Sequence, residues 1–337
     1  MTVLVTGGAG YVGSHVAAEL LSSGYDVIIA DNFSNSSRGV PTDIGLAAGK
    51  NVECREADMT DFAALEKIFA DKSIDGVVHC AGFKAAGESV IKPTEYYRNN
   101  IVSTLNLLDV MRARGVSRLI FSSSATVYGD PKTLPLTEAM AAWPCANPYG
   151  TTKLVIEKLI EDAAAADRSL SAVLLRYFNP VGSHRSGIIG EAPNGVPNNL
   201  MPHITRVALG RAEYLSVYGN DYDTRDGTCV RDYIHVADLA RGHVAALRYC
   251  AERAGVEAVN LGRGSGYSVL ELISAFERVN GVKIPYVAAG RRAGDVAAMY
   301  ADVEKARRLF GWRAELSVDD MCRDAWNYAK LSATRRT

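Results

Sequence analysis

What this chain has little of narrows its class first. Its 337 residues hold 37 Lys and Arg against 38 Asp and Glu, a formal charge of −1. The positive excess that marks a nucleic-acid binder is missing. No apolar stretch approaches the roughly 18 residues of a membrane span. The N-terminus shows no basic segment leading into an apolar run and a cleavage site. Cysteine is sparse: Cys54, Cys80, Cys145, Cys229, Cys250 and Cys322 are widely spaced, with no C-x-x-C pair. That pattern excludes a disulfide scaffold and a zinc ribbon. His15, His79, His184, His203, His235 and His243 include no H-E-x-x-H spacing, so no metal is expected. The expectation is a cytoplasmic protein that engages neither membrane nor nucleic acid.

What is present is a globular composition, 48% hydrophobic and 22% charged, long enough for two units. Thr2–Thr6, Asp26–Ala30, Val52–Arg55, Gly76–His79, Arg118–Ser122 and Ala172–Arg176 read as strands buried on both faces. Helical spacing falls between them, at Val12, Val16 and Leu20, over Asp61–Lys72, over Asn99–Arg114 and over Pro148–Ala166. This alternation predicts an α/β fold with a doubly wound parallel Rossmann sheet. Val181–Leu200, rich in Gly, Pro, Asn and Ser, reads as a long functional loop. Helices then fit Met201–Leu209, Val236–Glu252, Val269–Asn280, Val303–Phe310 and Val318–Leu331, with a short strand at Leu215–Val217. The expected division is residues 1–180 and a smaller C-terminal α/β substrate lobe, 181–337, with strands of the second half free to rejoin the first sheet.

Gly7, Gly10 and Gly13 follow the first strand and open the first helix. Glycines there let the backbone approach a pyrophosphate, which the helix N-terminus then attracts. No Lys precedes Ser14, unlike a triphosphate-binding loop. Asp31 closes the second strand, where a carboxylate accepts the ribose hydroxyls and repels a 2′-phosphate, favouring NAD over NADP. Arg38 is the one nearby cation that argues the other way. Asp58 suits the adenine amino group, or equally the cap of the helix after Asp61.

Tyr149 and Lys153 form Y-x-x-x-K on a helix opened by Asn147-Pro148. The spacing puts phenol and ammonium on one face. The ammonium and a cationic nicotinamide ring would both favour phenolate, lowering a pKa that starts near 10. Ser124 follows the fifth strand, whose carboxyl end faces the ligand crevice of a parallel sheet. It can shuttle or orient a substrate proton.

With these residues together, the chain resembles the extended, nucleotide-sugar branch of the short-chain dehydrogenase/reductase superfamily, and within it the enzymes that invert C4 of UDP-hexoses. The resemblance runs end to end. It rests on Thr6–His15, Asp31-Asn32, His79–Ala85, Asn99-Asn100, Ser122–Gly129, Asn147–Lys153, Arg176–Pro180, Gly227–Val236 and Arg291–Asp295. It implies a tightly held NAD contacted by Gly7, Gly10, Tyr11, Val12, Gly13, Asp31, Asn32, Phe33, Ser34, Asn35, Ser36, Asp58 and Met59. Further contacts are implied for Cys80, Ala81, Gly82, Phe83, Lys84, Asn99, Ser124, Tyr149, Lys153 and Phe178. Tyr149 is then the catalytic base, Ser124 assists, and Lys153 holds the nicotinamide ribose and tunes the tyrosine.

Asn179, Asn199, Leu200, Arg231, Arg292 and Asp295 match positions that hold UDP and sugar, alongside Ser124 and Tyr149. The implied reaction interconverts UDP-glucose and UDP-galactose through a transient 4-keto sugar and enzyme-bound NADH, in a homodimer. Met299 stands where a bulky aromatic restricts the hexose pocket and a small residue admits N-acetylated sugars. UDP-N-acetylglucosamine therefore stays open as a substrate, as does UDP-glucuronate. Ala125-Thr126 after Ser124 leaves out the acid pair of the sister 4,6-dehydratases. A non-catalytic NAD sensor on the same fold is the alternative from another class.

Overall fold

The computed structural model describes residues 1–140, 144–195, 197–292 and 294–335. Its first half runs β1 (Thr2–Thr6), α1 (Tyr11–Ser22), β2 (Asp26–Asp31), α2 (Val40–Ala48), β3 (Glu53–Glu56), α3 (Phe62–Asp71), β4 (Gly76–His79), α4 (Ala86–Ile91), α5 (Pro93–Arg114), β5 (Arg118–Ser124), α6 (Pro148–Ala166), β6 (Ser171–Tyr177) and β7 (Asn179–Val181). The second runs α7 (Leu200–Ala208), β8 (Leu215–Tyr218), β9 (Val230–Arg231), β10 (Tyr233–His235), α8 (Val236–Cys250), β11 (Gly255–Leu261), β12 (Tyr267–Ser268), α9 (Val269–Asn280), β13 (Tyr286–Ala289), β14 (Ala298–Met299), α10 (Glu304–Phe310) and α11 (Val318–Arg335).

Seven of these strands form one parallel sheet in the order β11-β6-β5-β4-β1-β2-β3. The doubly wound α/β architecture is therefore present. Apolar residues alternate between its faces as the period of two requires. Val3 and Val5 pack with Val16, Leu20, Leu239 and Leu247 of α1 and α8. Leu4 packs on the opposite side with Leu65, Leu107, Ile156 and Ile160 of α3, α5 and α6. A separate core, built from Ile204, Leu215, Leu272, Phe276 and Met321, supports the second half. β11 comes from that half and pairs along its whole length with β6.

Local chemistry explains the element starts. Pro148 opens α6, and the Asn147 side chain accepts the Gly150 N–H at 2.9 Å. Asp61 caps α3, accepting from Ala63 and Ala64 N–H at 3.0 and 3.2 Å. Asp58 is thereby released from the capping role. α5 begins at Pro93, not Asn99: Asn99 lines the cleft and Asn100 is buried against Phe83 and Thr152, and the two polar residues interrupt the apolar stripe that would announce the helix. The short α2 and α4, each with a single buried residue, gave no periodic signal.

Candidate active site

At the carboxyl ends of β1, β2, β3, β4 and β6 lies a cleft of about 830 Å³. Its floor is the turn from β1 into α1. Gly7 there has φ +65°, and a Cβ on it would lie 2.7 Å from the Ala81 nitrogen. A Cβ on Gly13 would come within 2.2 Å of the Gly7 carbonyl oxygen. Only glycines allow this close stacking of loop on strand and helix. The turn leaves the N-terminus of α1 facing the cleft without a side-chain cap, a site suited to a phosphate.

Asp31 sits at the wall, its carboxylate accepting Ala9 N–H at 3.0 Å, Phe33 N–H at 2.8 Å and Ser36 Oγ–H at 3.0 Å. Arg38 is held by Glu56 at the end of β3 and lies over the Phe33 ring. Arg38, the cation that the sequence offered for a 2′-phosphate, is thus already paired. Asp58 accepts from Asn32 Nδ2 at 2.9 Å and from Thr60. The glycine cradle, helix end and Asp31 carboxylate fit an adenine dinucleotide that lacks the extra phosphate.

The opposite wall is the loop after β4. Asn100 pins it: its Oδ1 accepts the Phe83 N–H at 2.7 Å, and its Nδ2 donates to Phe83 O at 3.1 Å and Thr152 Oγ1 at 3.0 Å. Thr152 in turn donates to the Tyr149 carbonyl at 2.7 Å. Asn100 ties the loop to the catalytic helix, a role spacing alone did not separate from its neighbour Asn99. Glu191 was also missed; it accepts from Lys84 Nζ at 3.2 Å and Asn199 Nδ2 at 2.6 Å. The only signal for it was the loop composition of Val181–Leu200.

Tyr149 and Lys153 lie on one face of α6, the ammonium 5.9 Å from the Tyr149 ring. Lys153 Nζ donates to Ser122 O at 2.8 Å. Ser124 Oγ accepts from Thr126 N–H and hydroxyl at 3.2 and 3.0 Å, and its hydroxyl also meets the Tyr149 phenol. Burial pushes the Tyr149 phenol above its ordinary value, with the Ser124 bond opposing. The expected lowering by Lys153 is therefore not supplied by the chain alone. Burial also depresses Lys153 to about 8, against the favourable fields of Cys80 and Glu157.

That depression carries a stability cost with a definite sign. Between pH 8 and 10.5 the unfolded chain keeps a proton on Lys153 that the folded chain has released, so stability rises with pH there. Below pH 8 the full penalty remains. Lys153→Met is expected to gain about 1–3 kcal/mol at pH 7, with the gain shrinking at pH 10 while activity is lost. Denaturant melts at the two pH values measure it.

The cleft is lined by Gly7, Gly10, Tyr11, Val12, Gly13, Asp31, Asn32, Ser34, Asn35, Ser36, Asp58, Met59, Cys80, Ala81, Gly82, Phe83, Lys84, Asn99, Tyr149 and Lys153. Phe33, Ser124 and Phe178 do not line it; Ser124 reaches the site through its bond to the Tyr149 phenol, and Phe178 packs among Ala125, Val127, Tyr128 and Leu136. Tyr177, which the sequence reading passed over, does. The candidate sugar residues gather elsewhere. Arg231 pairs in register with Met299 across β9 and β14, and its guanidinium lies 3.7 Å from Asp295. Arg292 reaches the same carboxylate at 2.9 Å and stacks over Tyr218. Asn179 joins them through Asp232, its N–H donating to the Asp232 carbonyl at 2.8 Å. Asn199 and Leu200 stand apart, at the start of α7. Ala293 of the arginine motif lies outside the described residues.

Known proteins place this arrangement. Residues 3–262 match the NAD dependent epimerase/dehydratase family. A UDP-glucose 4-epimerase of Bos taurus is 54% identical over 334 residues, covering 97% of this chain and 96% of its own. The crystal structure of UDP-glucose 4-epimerase from Bifidobacterium longum in complex with NAD+ and UDP is 52% identical, with TM-score 0.96 and 99% of both chains covered. The UDP-Glc/GlcNAc 4-epimerase of Campylobacter jejuni is 36% identical, TM-score 0.84, covering 98% of this chain and 99% of that one. With glycine cradle, Asp31 wall and Tyr149–Lys153 helix in one cleft, the chain belongs to the NAD dependent epimerase/dehydratase family and, within it, to the UDP-glucose 4-epimerases.

Proposed function

We propose that this chain interconverts UDP-glucose and UDP-galactose by inverting C4 of the hexose. One observation carries the reading: Tyr149 and Lys153 line the dinucleotide cleft from one helix face, and the Ser124 hydroxyl meets the Tyr149 phenol. NAD held in this cleft would supply the acceptor for the hydride leaving C4 of the hexose and return it afterwards. Tyr149 takes the proton of the 4-hydroxyl and later returns it to the inverted oxygen. Ser124 hydrogen-bonds that oxygen and the phenol. Lys153, held by the Ser122 carbonyl, keeps a cation against the Tyr149 ring.

Residues 1–180 hold NAD and the base in this proposal, and 181–337 chiefly hold the UDP-sugar, with β11 contributing an edge to the first sheet. Arg231 and Arg292 face the diphosphate, a role for which guanidinium geometry suits. Asn179, Asn199, Leu200 and Asp295 complete the nucleotide-sugar contacts. A homodimer in the cytoplasm belongs to the same reading. Among the described residues, no helix is long and apolar enough to cross a membrane. Assaying the purified protein on UDP-glucose without added reductant, with NAD identified after denaturation, tests the function; no turnover with NAD present refutes it.

Met299 supports a second substrate. Its flexible thioether leaves more room than an aromatic ring, and it is only half-buried. Activity on UDP-N-acetylglucosamine is expected, and Met299→Tyr should cut it by about tenfold or more relative to UDP-glucose. Equal loss on both sugars would remove Met299 from the gate.

A further inference from the structure

We propose that Asp232 is a positioning and specificity residue for the hexose side of the site, because its single buried carboxylate and its own peptide join the strands that carry Asn179, Arg231 and Met299. The inference rests on the substrate reading above. Asp232 lies between β9 and β10 and is fully buried. Its N–H donates to the Met299 carbonyl at 3.0 Å, and its carbonyl accepts the Asn179 N–H at 2.8 Å. Its Oδ1 accepts the Arg263 N–H at 2.8 Å; its Oδ2 accepts the Gly264 N–H at 3.0 Å and the Ala301 N–H at 3.2 Å.

Three strands and one loop thus meet on one residue. Asp232 holds Met299's segment at two points: its side chain grips Ala301, while its backbone N–H grips Met299 itself. Across the site, Asn179 follows Phe178, whose ring shares an apolar cluster with Tyr128, Ala301 and Met299. Asp232 therefore sets the separation between the two walls that would enclose the sugar.

A carboxylate is the right group for three backbone donors, since both oxygens accept; an amide offers one acceptor oxygen and points donors at the rest. The choice is costly. Burial raises the Asp232 carboxyl to about 6 even against those three N–H groups. The fit is also close from the far side. A Cβ on Gly262 would lie 2.5 Å from Asp232 Oδ2 and 2.9 Å from the Ala301 Cβ. Gly262→Ala is therefore a wedge that moves the carboxylate off Ala301 without removing its charge.

The test uses NAD-loaded full-length protein carrying Tyr149→Phe, so that bound sugars do not interconvert. Into this background go Asp232→Asn and, separately, Gly262→Ala. Calorimetric titration with UDP, UDP-glucose and UDP-N-acetylglucosamine is expected to show UDP binding changed by less than about threefold. UDP-glucose binding should weaken by about tenfold, the scale of one hydrogen bond to a charged group. The preference for UDP-glucose over UDP-N-acetylglucosamine should fall by about fivefold as the walls loosen. In the Tyr149 enzyme the same substitutions should raise KM more than they lower kcat.

Loss of all three ligands in parallel, or a lower melting temperature with an unchanged sugar preference, makes Asp232 merely structural and overturns the inference. So does failure of both variants to yield NAD-loaded protein. Should the native enzyme epimerise neither pair, the functional reading falls, while the binding ratio, which needs no turnover, still decides the role of Asp232.

Discussion

Tyr149→Phe is expected to lower kcat by about 10²–10⁴-fold while NAD and UDP remain bound. The expectation is large because no neighbour can take over. Lys153 donates to the Ser122 carbonyl and is a cation until pH rises through about 8. His79 has both ring nitrogens engaged, with Thr6 Oγ1 at 2.7 Å and Thr104 Oγ1 at 3.1 Å, and burial lowers it to about 3. Burial pushes the Cys80 thiol to about 11, and the Tyr177 phenol well above its ordinary value. Ser124 has no base to activate it once the phenol is gone. Losing the oxygen removes one buried hydroxyl and leaves the ring, so the cleft keeps its shape. Coupled turnover assays, UDP calorimetry and NAD recovered from denatured protein check the three parts. Substantial residual activity would move the base away from Tyr149.

What the sequence showed of this site was whatever chemistry is written in local spacing. Gly7, Gly10 and Gly13 are legible because a tight turn and a helix start are made by neighbours. Tyr149 and Lys153 are legible because one helical turn separates them. Five of the six strands read in the first half match to within a residue at each end, since buried parallel strands are continuous apolar runs. The illegible parts are contacts between residues distant in the chain. β11 completes the main sheet from beyond residue 250, opening on a glycine and lying at an edge where burial is partial. Asn100 is indistinguishable from Asn99 by spacing; only the fold places its side chain between Phe83 and Thr152. The burial that raises the Tyr149 phenol is likewise outside what spacing reports, because it is made by residues distant in the chain.

The same limit hides the ion pair behind the catalytic helix, where the largest stability effect is expected. Glu157 lies one turn beyond Lys153, on the face that packs against β5 and β6. It accepts from Arg176 Nε at 2.9 Å, from Arg176 Nη2 at 2.6 Å and from Ser123 Oγ at 2.5 Å. Both charged side chains are almost wholly buried, 6% and 3% exposed. Glu157→Leu strands a guanidinium in the interior. Arg176 keeps only the Glu138 carbonyl, at 2.6 Å, and the Tyr128 hydroxyl. An uncompensated buried charge of this kind costs about 3–5 kcal/mol, to be read as a lower denaturant midpoint. Removing the second charge as well, in Glu157→Leu with Arg176→Met, should recover most of that loss, because the desolvation of both ions then disappears with their attraction. Turnover per folded molecule in the double variant separates two roles. If it stays low after stability returns, the pair aligns Tyr149 and Lys153 with the strand ends; if it recovers fully, the pair only closes the interior behind them.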